Sequence, residues 1–136
     1  MKKYLLTDFN TEKWDSIDMN GILEQVSKLN EGVLLGEVFH PDRWEISLAR
    51  ASHSIQNLLF EDGRIYGDVI FLDTEMGKLA KGLVDNFYCV FEMRFKEVAR
   101  RWAPSKNEIR IISWDVVSPT KAEIRAMKIN ELLSHI

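Results

Sequence analysis

Cysteine is almost absent from this chain of 136 residues, since Cys89 is the only one. No disulfide can form within the chain, which excludes the stapled folds of small secreted proteins. Apolar runs are also short, and none approaches the roughly 18 residues that a membrane-spanning helix needs. Only three apolar residues follow the Lys2-Lys3 pair, too few for the core of a signal peptide. We therefore expect a protein made and used in the cytoplasm, or in a particle assembled there.

Charge of one sign and clusters of metal ligands are scarce as well. The net charge of −3 gives no electrostatic reason to expect binding to nucleic acid or to a membrane. The three histidines and the single cysteine lack the spacing of a zinc site. The seven glycines are too dispersed for a phosphate-binding loop. We expect neither a metal nor a cofactor.

The composition that remains is that of a globular protein with one core. Hydrophobic residues make up 46% and charged residues 29% of the chain, and its length suits a single domain over residues 1–136. The apolar patterns predict five strands and two helices. The strands are predicted at 3–9, 33–39, 65–72, 87–95 and 109–117, and the helices at 15–29 and 76–84.

Local signals add detail to these elements. The Asp62-Gly63 pair lies between two apolar runs and predicts a hairpin, and Asp73 or Thr74 is a suitable cap for the second helix. A further amphipathic helix is predicted at about 120–135, where it could dock or bind a partner; its apolar residues are Ile124, Met127, Ile129, Leu132 and Leu133. We predict an α+β fold in which 33–39, 65–72, 87–95 and 109–117 form one small barrel-like sheet with surrounding helices.

A series of short motifs follows the same elements along the chain. In order, they are Met19-Asn20-Gly21, Gly36-Glu37-Val38-Phe39-His40-Pro41, Ala49-Arg50-Ala51-Ser52-His53-Ser54-Ile55, Gly63-Arg64-Ile65-Tyr66-Gly67-Asp68, Leu72-Asp73-Thr74, Gly77-Lys78-Leu79-Ala80-Lys81-Gly82-Leu83 and Trp114-Asp115-Val116-Val117-Ser118-Pro119. This order resembles that of the prohead core proteases of tailed phages (myophages), over roughly residues 19–119. The resemblance implies the fold shared with the herpesvirus assemblins, a β-barrel ringed by helices.

The resemblance also implies a catalytic arrangement, in which a histidine acts as base toward a serine nucleophile. His40 matches the histidine of the family's His-Pro element. The family's serine lies in the strand after the Gly-Lys helix, and in this chain that position falls on Phe91 or Glu92, depending on the register. Neither side chain can replace a serine, so we predict a serine-less, non-catalytic relative.

Other residues could still act as the nucleophile or as the residue that orients the histidine. Cys89 would be a competent nucleophile beside His40 if its thiolate formed, although a free cysteine in an apolar strand is more often buried and inert. Ser113 is a second candidate for the nucleophile. Asp115 is a candidate for the residue that orients the histidine, or it pairs with a nearby basic side chain.

Two residues are predicted to bind substrate or a partner. His53 could position such a ligand, or its ring could bond to a neighbouring backbone group. Arg94 could correspond to the arginine near the family's oxyanion site, or it could form a surface salt bridge with Glu92 or Glu97. His135 is predicted to be solvated.

We therefore predict a capsid-associated or protease-regulating structural protein of phage head assembly. Its predicted partners are phage capsid, scaffold or protease proteins, with a homo-oligomer also open, and its predicted location is the host cytoplasm and the prohead or virion. One alternative is an active prohead maturation protease, a serine- or cysteine-type endopeptidase with a non-standard nucleophile. Another is a different virion component of the capsid or tail, without a link to proteolysis.

Overall fold

The computed structural model describes residues 2–39, 45–99 and 106–118. These residues form seven strands and two α-helices, in the order β1 (Lys2–Asp8), β2 (Ile17–Asp18), α1 (Ile22–Leu29), β3 (Leu34–Glu37), β4 (Ala51–Glu61), β5 (Arg64–Phe71), α2 (Glu75–Asp85), β6 (Val90–Ala99) and β7 (Asn107–Val117). Short 3-10 turns cover Glu12–Trp14 and Leu48–Arg50. Neither α-helix in the described part of the chain has the length and apolar character needed to cross a bilayer. The predicted helix at about 120–135, His40 and His135 lie outside the described residues.

The strands form two sheets, so the α+β class is confirmed and the prediction of one barrel-like sheet is wrong. One sheet has the order β1-β5-β4-β3, and the other has the order β2-β7-β6. Strand β4 therefore separates β3 from β5, which were predicted to be neighbours in one sheet with β6 and β7. An isolated parallel bridge between Val38 and Val116 joins the sheets at one point, but the strands of the described residues do not close into a barrel.

Two features predicted from local signals, the hairpin at Asp62-Gly63 and the cap of the second helix, are confirmed. Strands β4 and β5 form an antiparallel hairpin, and Asp62 and Gly63 have φ angles of 53° and 74° at its turn. Two consecutive positive φ angles are what a type I′ turn requires. At the start of α2, the Thr74 hydroxyl accepts a hydrogen bond of 3.0 Å from the Gly77 amide. That bond satisfies one of the free donors of the first helical turn.

Two predicted elements have different bounds in the structure. The helix predicted from residue 15 begins at Ile22, because Gly21 has a φ of 86° and Ile17–Asp18 form β2 instead. The strand predicted from residue 87 begins at Val90. Phe87 has a φ of 60°, and the amides of Phe87 and Tyr88 donate to Val84 and Leu83 at the end of α2. This is the hydrogen-bond pattern of a Schellman helix end, which stops the strand from starting earlier.

A β-bulge in β7 decides which of its side chains face the main core. Phe95 is paired with Ile111 and Arg94 with Ser113, so Ile112 is the extra residue on β7. Before the bulge, the side chains of Ile109 and Ile111 pack in the main core. After the bulge, the side chain of Trp114 does so. Ser113 and Asp115 therefore share the other face of the β6–β7 pair with Arg94, where all three are also buried.

The outer edge of β7 is joined to the rest of the protein by side chains as well as by β2. The Gln25 side chain of α1 donates to the Ile109 carbonyl and accepts from the Ile111 amide, each at 2.8 Å. Further along, the Ser113 hydroxyl donates to the Leu35 carbonyl of β3 at 2.6 Å. These bonds attach α1 and β3 to the edge of β7 that faces away from β6, and the predicted site residues lie near the end of this edge.

Candidate functional site

Three of the predicted site residues lie close together where β3, β4 and β7 meet. His53 comes from β4, Arg94 from β6 and Asp115 from β7, and each is at most 4% exposed. Cys89 lies in a separate apolar cluster, and His40 lies outside the described residues. The structure therefore brings together the predicted binding residues and the predicted acid.

Both ring nitrogens of His53 are engaged inside the protein. Its Nε2 lies 2.8 Å from the Trp114 carbonyl oxygen, and its Nδ1 lies 2.7 Å from the Ser52 hydroxyl. A carbonyl can only accept, so Nε2 carries the proton and Nδ1 accepts from Ser52 in the neutral ring. Burial lowers the pKa of His53 below its ordinary value, against smaller opposing effects of the Trp114 carbonyl and Asp115. Because the ring is fully buried and neutral, its contacts are those of a side chain that fixes two strands.

Gly36 of β3 provides the space for this ring. A Cβ atom at position 36 would overlap both the Trp114 carbonyl oxygen and the His53 ring. The glycine of the Gly-Glu motif is therefore required by close packing of β3 on β4 and β7. The His53 ring also packs against the rings of Phe91 and Phe71, with centroid distances of 5.6 and 6.2 Å.

Arg94 is the centre of a buried ion cluster. Its Nε and Nη2 donate to the two carboxylate oxygens of Asp115 at 2.8 and 3.0 Å, a bidentate pair. Its Nη2 also donates to Glu37 at 3.1 Å, and its Nη1 donates to the Glu45 carbonyl at 2.9 Å. The surface salt bridge expected with Glu92 or Glu97 is thus wrong, because Arg94 faces inward toward β3 and β7.

Glu37 extends the ion cluster to the segment before β4. Its carboxylate accepts from the Ser47 amide at 3.3 Å and lies 3.7 Å from Arg50, whose side chain is 60% exposed. The Glu37 amide donates to Asp115 at 2.9 Å. Two arginines thus face two buried carboxylates, and the cluster ties the segment from Glu45 to Arg50 onto the sheets. Such a set of groups stabilises a loop, and Arg94 makes four hydrogen bonds to protein acceptors within it.

The two positions that the resemblance gives to serine lie on opposite faces of β6. The Phe91 ring is half-buried between Tyr4 and His53, at centroid distances of 5.1 and 5.6 Å. Its Cα is paired with Val116 of β7. Glu92 points to the other face and lies 3.6 Å from Lys13. Neither Phe91 nor Glu92 carries the hydroxyl or thiol that this kind of acyl transfer uses.

The alternative nucleophiles are both buried. Cys89 packs with Val38, Ala80 and Val116, and burial raises the pKa of its thiol above the ordinary value. A raised pKa lowers the fraction of the reactive thiolate. Ser113 is fully buried and uses its hydroxyl proton for the Leu35 carbonyl. Within residues 2–39, 45–99 and 106–118, no group of three or more metal-ligating side chains is placed to hold a metal ion.

Glu37, Gly36 and Ser52 were not predicted as site residues, although they lie at the centre of the arrangement. The sequence did contain a signal for these residues, because all three belong to the two motifs that contain His40 and His53. A glutamate after a glycine in a short apolar strand is an unusual residue to bury. That position alone could have indicated an ionic partner.

Comparison with known proteins gives one finding about the fold. No protein-family model matches the chain, and no curated protein matches it either. Among solved structures, the chain is similar to the capsid assembly protease gp21 of bacteriophage T4, with a TM-score of 0.61 and 17% sequence identity. The match covers 87% of this chain and 81% of the T4 chain. The chain therefore has a fold like that of a capsid assembly protease.

Proposed function

We propose that this chain is a non-catalytic relative of the capsid assembly proteases that acts in phage head assembly. Its role is that of a capsid-associated or protease-regulating structural protein. The order of motifs along the chain and the likeness in fold to the T4 capsid assembly protease support this proposal together. The motifs come from the residue types, and the likeness comes from the path of the backbone.

The proposal that the chain is non-catalytic depends mainly on which residue stands at the position of the family's serine. Acyl transfer by this kind of site needs a hydroxyl or thiol beside a base. Phe91 instead places an aromatic ring against Tyr4 and His53, and Glu92 in the alternative register carries a carboxylate beside Lys13. Cys89 and Ser113 offer no replacement, since one is a buried thiol with a raised pKa and the other bonds to a β3 carbonyl.

A protein that loses such chemistry can keep the surfaces that recognise its former substrates, although fold alone is only an associational argument for this. The resemblance to the prohead proteases implies that such surfaces recognise scaffold or shell proteins. We therefore propose phage capsid, scaffold or protease proteins as partners, and the prohead as the place of action.

Cosedimentation and cleavage assays with the same sample test both parts. The purified chain is incubated with the scaffold and shell proteins of the phage that encodes it, and with assembled proheads. We expect sedimentation with proheads and no new fragments by mass spectrometry. His40→Ala, Cys89→Ala and Ser113→Ala serve as matched variants.

Cleavage by the wild-type chain that disappears in His40→Ala would contradict the non-catalytic proposal. Loss in Cys89→Ala or Ser113→Ala would then identify the nucleophile. Absence of the chain from purified proheads and virions, together with no binding to their proteins, would contradict the role in head assembly.

A further inference from the structure

The outer face of the β1-β5-β4-β3 sheet has a row of apolar side chains that is open to solvent. Leu5 of β1, Tyr66 of β5 and Leu59 of β4 are paired side by side across three strands, and we call these three residues the outer row. Leu5 is 49% exposed and Leu59 is 40% exposed, while Tyr66 between them is half-buried. Single exposed leucines are ordinary, but a contiguous apolar patch usually marks a contact surface.

Both helices pack on the opposite face of this sheet. Ile22 of α1 lies in the main core with Ile65 and Val69, whose side chains point to the other side of β5 from Tyr66. Helix α2 lies in the second cluster through Ala80. Within the described residues, neither buried cluster includes the outer row.

Charges of opposite sign lie diagonally across the outer row. Lys3 of β1 is paired with Asp68, two residues after Tyr66 along β5. Glu61 of β4 is paired with Arg64, two residues before Tyr66. Lys3 and Glu61 are therefore about 13 Å apart along the strands and about 10 Å apart across them.

Both charges face the same side as Tyr66. The Lys3 Nζ lies 5.9 Å from the centroid of the Tyr66 ring, and an open pocket is lined by Lys3, Glu61, Tyr66 and their neighbours Leu59 and Asp62. The surface thus has an apolar centre with a cation at one corner and carboxylates at the opposite corner.

This arrangement is complementary to itself. In a dimer with two-fold symmetry every contact occurs twice, with the two residues exchanged between the copies. An axis that runs in the interface, perpendicular to the diagonal from Lys3 to Glu61, places Tyr66 near Tyr66 and each Lys3 opposite Glu61 of the other copy. The strands of the two copies then cross at roughly 70°, which is nearer to the orthogonal class of sheet packing than to the aligned class.

We propose that the protein forms a two-fold symmetric dimer through this face, with the outer rows packed together and Lys3 of each copy paired with Glu61 of the other. Charge complementarity favours a second copy as the occupant, because one face supplies both charges at matching positions. The face is about 14 Å wide and about 25 Å long, which is small for a permanent interface, so the dimer is reversible. This dimer does not depend on the proposed function.

Analytical ultracentrifugation of the full-length protein over a range of concentrations tests the proposal. We expect a monomer–dimer equilibrium in wild type. Lys3→Glu and Glu61→Lys should each weaken the dimer by at least about tenfold, because each replaces two attractions by two repulsions. The double variant should regain the wild-type affinity to within about threefold. Lys2→Glu is the matched control, since the Lys2 side chain lies over Tyr4 on the other side of β1, and it should leave the dimer unchanged.

Mixing the two single variants gives a sharper test. An equimolar mixture of Lys3→Glu and Glu61→Lys should form mixed dimers, because one copy then has only carboxylates at the two corners and the other has only ammonium groups. Labelling one of the two variants detects these mixed dimers by fluorescence.

The apolar part of the interface is tested by Leu59→Asp, which should abolish the dimer. Leu23→Asp on α1 is its control, because Leu23 is exposed and lies outside this face. Urea unfolding of each variant verifies that the fold is intact. A wild type that stays monomeric at every concentration would overturn the proposal, whatever covers the face. A dimer that Lys3→Glu, Glu61→Lys and Leu59→Asp leave unchanged, or single variants that do not associate on mixing, would overturn it as well.

Discussion

Replacing Arg94 by methionine would leave the carboxylates of Glu37 and Asp115 buried without their central cation. The guanidinium makes four hydrogen bonds to Asp115, Glu37 and the Glu45 carbonyl, and all three charged side chains are at most 4% exposed. Removing one partner from a buried pair typically costs about 3–5 kcal/mol, because the remaining charge is left uncompensated. Domains of this kind are stable by about 5–15 kcal/mol. We therefore expect Arg94→Met to lose about 4 kcal/mol of unfolding free energy, a large part of the total.

Arg50→Met is the matched control for this experiment. Arg50 faces the same carboxylate of Glu37, but at 3.7 Å and with a side chain that is 60% exposed. An exposed pair contributes little, so we expect a loss of at most about 1 kcal/mol. Added salt should weaken only the Arg50 contribution, since screening acts mainly on exposed charges.

Urea unfolding measures both variants. Two of the four tryptophans, Trp14 and Trp114, are buried in the main core, so a change in their fluorescence reports on its loss. Asp115→Asn, alone and with Arg94→Met, completes a double-mutant cycle, because asparagine keeps an acceptor for the Glu37 amide. A loss in Arg94→Met no larger than that in Arg50→Met, or a cycle with no coupling, would refute the view that this cluster holds the sheets together.

Three further changes have expected results that follow from the same region. Below pH 6.5 the unfolded chain binds more protons than the folded one, because the pKa of His53 is lowered from 6.5 on folding. The unfolding free energy should therefore fall as the pH falls, by at most about 1.4 kcal/mol per pH unit, and His53→Gln should flatten this dependence in urea titrations. Gly36→Ala should lose about 2 kcal/mol or more, because its methyl group would overlap Trp114 and His53. Phe91→Ser should lose about 2 kcal/mol and show no peptide cleavage, since a serine alone supplies neither a free base nor oxyanion donors.

Each of these results has its own counter-result. An equal pH slope in wild type and His53→Gln would show that the ring is not the titrating group. Gly32→Ala is the control for Gly36→Ala, because a Cβ at residue 32 would meet nothing within 4 Å. Equal stability of the two glycine variants would mean that β3 can move away from His53. Cleavage by Phe91→Ser would reveal a site that lacked only its nucleophile.

Elements defined by local chemistry could be predicted from the sequence. The hairpin at Asp62-Gly63 and the helix capped by Thr74 depend on residues within a few positions of one another. The strand start at residue 87 was predicted wrongly for an equally local reason. The alternation of Phe87, Cys89 and Phe91 is typical of a strand, but the end of α2 uses residues 86–88 for its own hydrogen bonds.

The surroundings of Arg94 could not be predicted in the same way. Glu92 and Arg94 alternate with apolar residues on β6, which indicates a solvated face. That face is covered because the β7 bulge turns Asp115 toward it and because the segment from Glu45 packs above it. Partners that are 57 and 21 positions away, at Glu37 and Asp115, leave no periodic signal on β6.

The edge of β7 that faces away from β6 also affects the order in which contacts can form during folding. Its bonds join residues 84 and 86 positions apart at Gln25, 78 positions apart at Leu35 and 61 positions apart at His53. Contacts of such large sequence separation slow folding, because the loop between them must be closed before they form. During synthesis, the β4–β5 hairpin and its pairing with β3 can form early, whereas the bonds of Gln25, Leu35 and His53 to β7 must wait for residues 107–117. The His53 imidazole and the Glu37 carboxylate therefore gain their partners on β7 and β6 only after residues 90–117 have been added.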